Sequence, residues 1–206
     1  MSAGPSSRPV CTACRRPVGH CLCALVPRLQ CATEVFILQH PSERQHALNT
    51  ARLLALGLVS ARLVTVEFLD DDLAAKLTDP GWRTELLFPG PDATLITRAP
   101  SDARPRRLVL LDGTWRKARK LLYLNAVLGG LPRVTLPSGG GQSIRLRKAP
   151  GPEALSTIEA GVRALSIIEP KVDFLPLLSP FEALIEGQIS AMGSDCYQRN
   201  HLATTR

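Results

Sequence analysis

The chain has no apolar run long enough to cross a bilayer, so no transmembrane helix and no membrane partner are expected. Residues 1–10 are rich in Ser and Pro and lack an apolar core, so no secretory signal is expected and cytoplasmic residence is the default expectation. No GxGxxG follows a strand-like run, and there is no GxxxxGK[ST], which argues against a Rossmann dinucleotide fold and a P-loop NTPase. Internal repeats are absent as well. Acids are nearly missing from one stretch: between Arg104 and Lys120, Asp112 stands alone against seven Lys or Arg.

What is present points to a folded, basic domain. With 206 residues and 45% hydrophobic content, the chain can bury a core without disulfide staples. A formal charge of +7 suits a polyanion partner, since Lys and Arg neutralise phosphates and release counterions; a merely basic surface is the plainer alternative. Six cysteines occur, and Cys11, Cys14, Cys21 and Cys23 crowd into a short segment. In a cytosolic chain such spacing suits metal rather than disulfides. Two short Cys pairs joined by a loop supply the four soft ligands of a tetrahedral zinc site, with His20 as a possible substitute for one thiolate. A closed four-thiolate site has no open position, so a structural zinc is expected.

Strand and helix signals alternate. Strands are expected at 33–39, 61–68, 85–88, 93–97, 107–111 and 133–136. Helices are expected at 42–57, 70–77, 115–128, from Pro152 to about Ile168, and from Ser179 to about Met192. Ser179-Pro180-Phe181-Glu182 has the spacing of a capping box. The alternation predicts an α/β fold with a mostly parallel sheet. Ligands of such sheets bind beyond the carboxyl ends of the strands, where His40-Pro41, Phe88-Pro89, Asp112-Gly113 and Leu136-Pro137 fall.

Asp112 follows the clearest buried strand and is placed to act as a general base; equally, Asp112, Gly113 or Thr114 could cap the helix that Trp115 begins. Trp115 suits core packing or stacking on a base or sulfonium. Arg116, Lys117, Arg119 and Lys120 oppose the dipole at the start of that helix, and phosphate contact would explain them; a solvated face is the alternative. Arg145, Arg147 and Lys148 form a second basic cluster ahead of Ser156 and Thr157. His40 follows a strand, where a lone His is more often structural than catalytic.

In order, Cys-x2-Cys…Cys-x-Cys, His40-Pro41-x-Glu43, Asn49-Thr50 with Leu53-Leu54, Phe88-Pro89, Leu111-Asp112-x-Thr114-Trp115, Arg147-Lys148 and Leu155-Ser156-Thr157-x-Glu159-Ala160 resemble the DTW-domain proteins, which are tRNA-uridine aminocarboxypropyltransferases. The resemblance spans roughly 11–190. It implies a SPOUT-like α/β fold, with helices on both faces of the sheet and a C-terminal trefoil knot. The expected organisation is a flexible tail (1–10), a zinc knuckle (11–31), a catalytic domain (32–195) and a C-terminal tail (196–206). The implied reaction transfers the 3-amino-3-carboxypropyl group of S-adenosylmethionine to N3 of a tRNA uridine. Asp112 would then be the base, with Thr114 and Trp115 beside it in the catalytic motif. Phe88, Pro89, Leu111, Leu136, Ser156 and Thr157 become candidates for the cofactor pocket, and Arg147 and Lys148 for its carboxylate. His40, Arg116, Lys117, Arg119, Lys120 and Arg145 become candidates for RNA contact. Where the family often has Ser-Pro after the motif helix, this chain has Leu124-Asn125-Ala126. A SPOUT-type RNA methyltransferase and a non-enzymatic zinc-bearing RNA-binding module are the competing readings, and monomer and homodimer are both compatible with the sequence.

Overall fold

A computed structural model of the chain describes residues 9–46, 48–98, 104–138 and 155–192. Its elements alternate as β1 (Glu34–Gln39), α1 (Thr50–Gly57), β2 (Ala61–Thr65), α2 (Asp71–Leu77), β3 (Arg83–Leu87), β4 (Thr94–Leu95), β5 (Arg106–Asp112), α3 (Trp115–Leu124), α4 (Ala126–Gly130), β6 (Arg133–Thr135), α5 (Thr157–Ile168) and α6 (Ser179–Met192). The strands form one six-stranded sheet in the order β2-β1-β5-β3-β6-β4. Every pairing between these strands is parallel.

Apolar side chains cover both faces of this sheet, which is why its central strands read as unbroken hydrophobic runs. Val35, Ile37, Leu108 and Leu110 face one core with Leu54 of α1, Ile158 and Leu165 of α5, and Leu184 of α6. Phe36, Leu38, Leu86 and Val109 face a second core with Leu73 and Leu77 of α2, Ala118 of α3 and Leu128 of α4. The result is a helix–sheet–helix sandwich. Gly161 of α5 lets that helix lie against α1, since a Cβ there would come within 2.5 Å of Leu54 Cδ2.

Several expected boundaries move, each for a local reason. The helix expected over 42–57 is a 3-10 turn at Pro41–Glu43 followed by α1. Asn49 makes the break: its Oδ1 accepts from the Arg52 N–H and its Nδ2 donates to the carbonyls of Glu43 and Arg44. The helix expected over 115–128 is divided at Asn125, whose backbone is extended (φ −123°, ψ 92°). Its buried side chain donates to the carbonyls of Leu121 and Glu67 and accepts from the Leu69 N–H, so α3 is tied to the loop after β2. Strand β2 stops at Thr65, short of Phe68. Ser156 caps α5 with a complete capping box to Glu159, so that helix begins at Thr157; Pro152 lies outside the described residues. Ser179 is already helical, because a 3-10 turn at Leu175–Leu178 runs directly into α6, so it is not an extended cap.

The N-terminal cysteines form a compact knuckle. Its first ordered pairing is the Val10–Pro17 bridge, closed by the Val18 N–H donating to the Pro9 carbonyl. Arg15 adopts a left-handed backbone (φ 60°) in the turn between Cys11 and Arg16. Leu22 and Val26 anchor the knuckle on the α1/α5/α6 core. Among the described residues no helix is long and apolar enough to cross a membrane.

Candidate active site

A cleft of about 800 Å³ opens at the carboxyl ends of β3, β5 and β6. Phe88, Pro89, Leu111, Trp115, Leu136, Ser156 and Thr157, all singled out in the sequence, line it together. Leu110, Val134, Arg119 and Arg163 complete much of the wall. Trp115 and Phe88 meet with ring centroids 5.7 Å apart at a 60° tilt, a favourable edge-to-face geometry. Trp115 remains 37% exposed, so it is a wall of the cleft and not a core residue.

Asp112 is the last residue of β5 and is buried behind this wall. Its Oδ2 accepts from Gln39 Nε2 at 2.8 Å, and its Oδ1 accepts from Thr157 Oγ1 at 2.5 Å. The capping role falls to Thr114 instead, whose Oγ1 accepts from the Lys117 N–H. Gly113 between them has φ 155°, and a Cβ there would stand 3.1 Å from Lys117 Cβ, so the turn requires glycine. Parallel register places Gln39 of β1 beside Asp112 of β5, and the α5 capping turn delivers Thr157 from the other side. The carboxylate is thus joined to the cleft through the Thr157 hydroxyl.

Gln39 is fully buried, although from the sequence alone it is only the last residue of an expected strand. Its Nε2 also donates to Asn49 Oδ1, and its Oε1 accepts from Thr65 Oγ1. The available signal was a long polar side chain ending a run otherwise buried on both faces.

The expected RNA contacts separate into two kinds. Lys117 pairs with the buried Glu43 at 2.7 Å, and Lys120 with Glu67 at 2.5 Å. The Lys120 ammonium holds the Glu67 carboxyl below its ordinary range, with His40 adding a smaller effect in the same sense. His40 Nε2 lies 3.8 Å from the same Glu67 oxygen, and its Nδ1 caps the turn at Ser42. Arg116 and Arg119 have no acidic partner among the described residues. Arg106 and Arg107, part of the basic stretch, are buried in pairs with Glu85 and Glu34 and so are unavailable to a phosphate. Arg145, Arg147 and Lys148 lie outside the described residues, as does Cys196.

The Sγ atoms of Cys11, Cys14, Cys21 and Cys23 all lie within 4.8 Å of one another, and His20 is not among them. Cys11–Cys23 and Cys14–Cys21 are 3.6 and 3.7 Å apart. A tetrahedral zinc with Zn–S bonds of about 2.3 Å requires edges of about 3.8 Å, so the cluster has the dimensions of such a site. Backbone N–H groups of Cys14 and Ala13 bring the Cys11 thiol down to about 6, whereas burial pushes Cys23 up to about 12.

Residues 8–189 match the DTW domain family model. The chain belongs to the DTW-domain family. Within the DTW domain, the motif residues Asp112, Thr114 and Trp115 therefore occupy a strand end, a helix cap and a cleft wall in succession. The DTW-domain chain is 34% identical over 193 residues to a Mus musculus protein named tRNA-uridine aminocarboxypropyltransferase 2, covering 88% of this chain and 64% of that protein. A Drosophila melanogaster protein of the same name is 32% identical over 195 residues, covering 90% of this chain and 77% of the relative. An Arabidopsis thaliana protein named tRNA-uridine aminocarboxypropyltransferase A is 31% identical over 194 residues, covering 79% and 74%. No solved structure matches the chain.

Proposed function

We propose that this DTW domain transfers the 3-amino-3-carboxypropyl group of S-adenosylmethionine to N3 of a tRNA uridine. The observation that carries the reading is Asp112, a buried carboxylate connected to a strand-end cleft by the Thr157 hydroxyl. The names of the relatives support the same reaction.

The cleft volume falls within the roughly 300–1,000 Å³ of small-molecule sites, and its apolar strand-end walls suit an adenosine and a thioether. Bound there, S-adenosylmethionine would supply an electrophilic carbon beside a sulfonium, with methylthioadenosine as the leaving product. Leu111, Leu136, Phe88 and Pro89 would hold the apolar part, with Trp115 presenting its ring to the cation. Arg147 and Lys148 are our candidates for the amino-acid carboxylate.

Uridine N3 carries a proton and is a poor nucleophile until it is removed. In the proposed route Thr157 accepts the N3 proton as it passes its own hydroxyl proton to Asp112. Gln39 keeps the second carboxylate oxygen fixed during that exchange. Ser156, on the same turn, completes the capping box that holds Thr157 in place. The proposal extends to a SPOUT-like C-terminal trefoil knot, a structural zinc on the four cysteines, and action on tRNA in the cytoplasm.

Nucleoside mass spectrometry tests it. Incubation of the protein with an unmodified tRNA transcript and S-adenosylmethionine should add an aminocarboxypropyl mass to uridine and release methylthioadenosine. An added methyl would support a methyltransferase instead. RNA binding without cofactor binding in calorimetry would support a non-enzymatic module. Asp112→Ala should lower transfer by roughly 10²–10⁴-fold, the usual contribution of a positioned base, with cofactor binding retained.

A further inference from the structure

The most exposed large apolar side chain of the described residues is Tyr123, at 87%. It lies on α3, the helix that starts at the cleft wall with Trp115. Positions 116, 119, 120 and 123 are spaced as one helical stripe, and all four are exposed. Ala118 and Leu121, on the opposite side, are buried. The outward face of α3 therefore presents Arg116, Arg119, Lys120 and an aromatic ring in a continuous row. Arg119 also lines the cleft, so the row begins at the candidate active site.

Two features distinguish this row from an ordinary solvated face. Arg116, in the first turn of α3, opposes the helix dipole, and neither Arg116 nor Arg119, one turn further on, is offset by an acid of the described residues. A phosphate at that end would be favoured both by the guanidiniums and by the helix terminus. The tyrosine, in turn, has a free ring face beside cations, the combination that holds single-stranded nucleic acid through base stacking and backbone charge.

We propose that this face of α3 is a track for single-stranded RNA, with Arg116 and Arg119 on successive phosphates and Tyr123 stacked on an unpaired base close to the target nucleotide. The proposal rests on the tRNA-uridine reading above and specifies how the unpaired strand is held. It predicts preference for a loop over a duplex, because a paired base cannot offer its face to the ring.

The test compares binding of a fluorescent RNA stem-loop carrying uridine in its loop with binding of a fully paired duplex of matched length. Tyr123→Ala should weaken loop binding by roughly five- to a hundred-fold, the range for removing one base–aromatic stack, and leave duplex binding unchanged. Tyr123→Phe should bind as the parent does. Replacing both Arg116 and Arg119 by Gln should lower the salt dependence of log K by about 1.4, at about 0.7 per phosphate contact on a single strand. Loop binding unaffected by Tyr123→Ala, or lost equally in Tyr123→Phe, overturns the proposal. So does tight binding of polyglutamate that shows the same sensitivity to Tyr123→Ala, which would indicate an acidic peptide as the occupant. The two readings separate cleanly: a chain that binds the loop through Tyr123 without modifying it sinks the activity alone. A chain that modifies tRNA with unchanged KM in Tyr123→Ala sinks the track alone.

Discussion

The two ends of the central sheet both bury carboxylates, and they hold them with different donors. At the amino end, Glu85 lies between Arg106 and Arg83, and Glu34 between Arg107 and Arg62. Arg107 is further sandwiched by the Trp82 and Phe36 rings, at 4.3 and 5.3 Å. At the carboxyl end, Asp112 is gripped by the Gln39 amide and the Thr157 hydroxyl, and the hydroxyl faces the cleft. Guanidinium pairs fix charge in place and tie strands together. A hydroxyl can exchange its proton with the carboxylate it binds. The same sheet thus keeps rigid electrostatics at one end and exchangeable protons at the other.

Substitutions at the two ends should separate accordingly. The largest effect on stability is expected from Glu85→Ala, which strands the buried Arg106 guanidinium. Removing one partner of a buried pair costs about 3–5 kcal/mol, measurable by denaturant unfolding, while activity per folded molecule should stay unchanged. A parallel loss of activity in the folded fraction would erase the distinction between the ends.

Gln39→Leu should destabilise by a smaller amount, about 1–3 kcal/mol, since it leaves Asn49 Oδ1 and Asp112 Oδ2 short of a donor. Its signature should be in turnover: transfer per folded molecule should fall, because the amide that fixes the second oxygen of Asp112 is gone. Unchanged transfer in the folded fraction would reduce Gln39 to a packing residue.

The smallest effect concerns Cys31, just ahead of β1 at the amino end. Burial pushes its thiol above the ordinary value, partly offset by Ser60, whose Oγ is 3.1 Å from the sulfur. A raised value means less thiolate at a given pH, so iodoacetamide should modify Cys31 slowly at neutral pH and faster as the pH rises. The stability linked to this group is present below its unfolded value and is lost as pH climbs through the folded one. Rapid labelling of the native protein at neutral pH would contradict the burial of this end.

Much of this organisation was legible in the residues. The buried runs in β1 and β5 announced buried strands, whereas the capping box expected at Ser179–Glu182 is found at Ser156–Glu159 instead. Phe88, Pro89 and Leu136 stand at strand-end turns, which are ligand sites in parallel sheets, whereas Leu111, Trp115, Ser156 and Thr157 are marked by the resemblance to the DTW family. Breaks made by side chains were harder to read. Asn49 and Asn125 interrupt helices by bonding to backbone that is distant in sequence or freed by the break itself, and periodicity carries no trace of that.

The sequence by itself determined the α/β alternation, the cysteine cluster, and the motif that marks the DTW family, since each depends on local spacing or composition. Only the tertiary structure decided which charges are committed and which are offered. Lys117 and Lys120 are answered by Glu43 and Glu67, residues far away along the chain, whereas Arg116 and Arg119 on the same helix face outward without an acid of the described residues. Asp112 likewise acquires its two donors, Gln39 and Thr157, through strand register and the turn that opens α5. Pairings of that kind depend on contacts across the fold, which local patterns cannot encode.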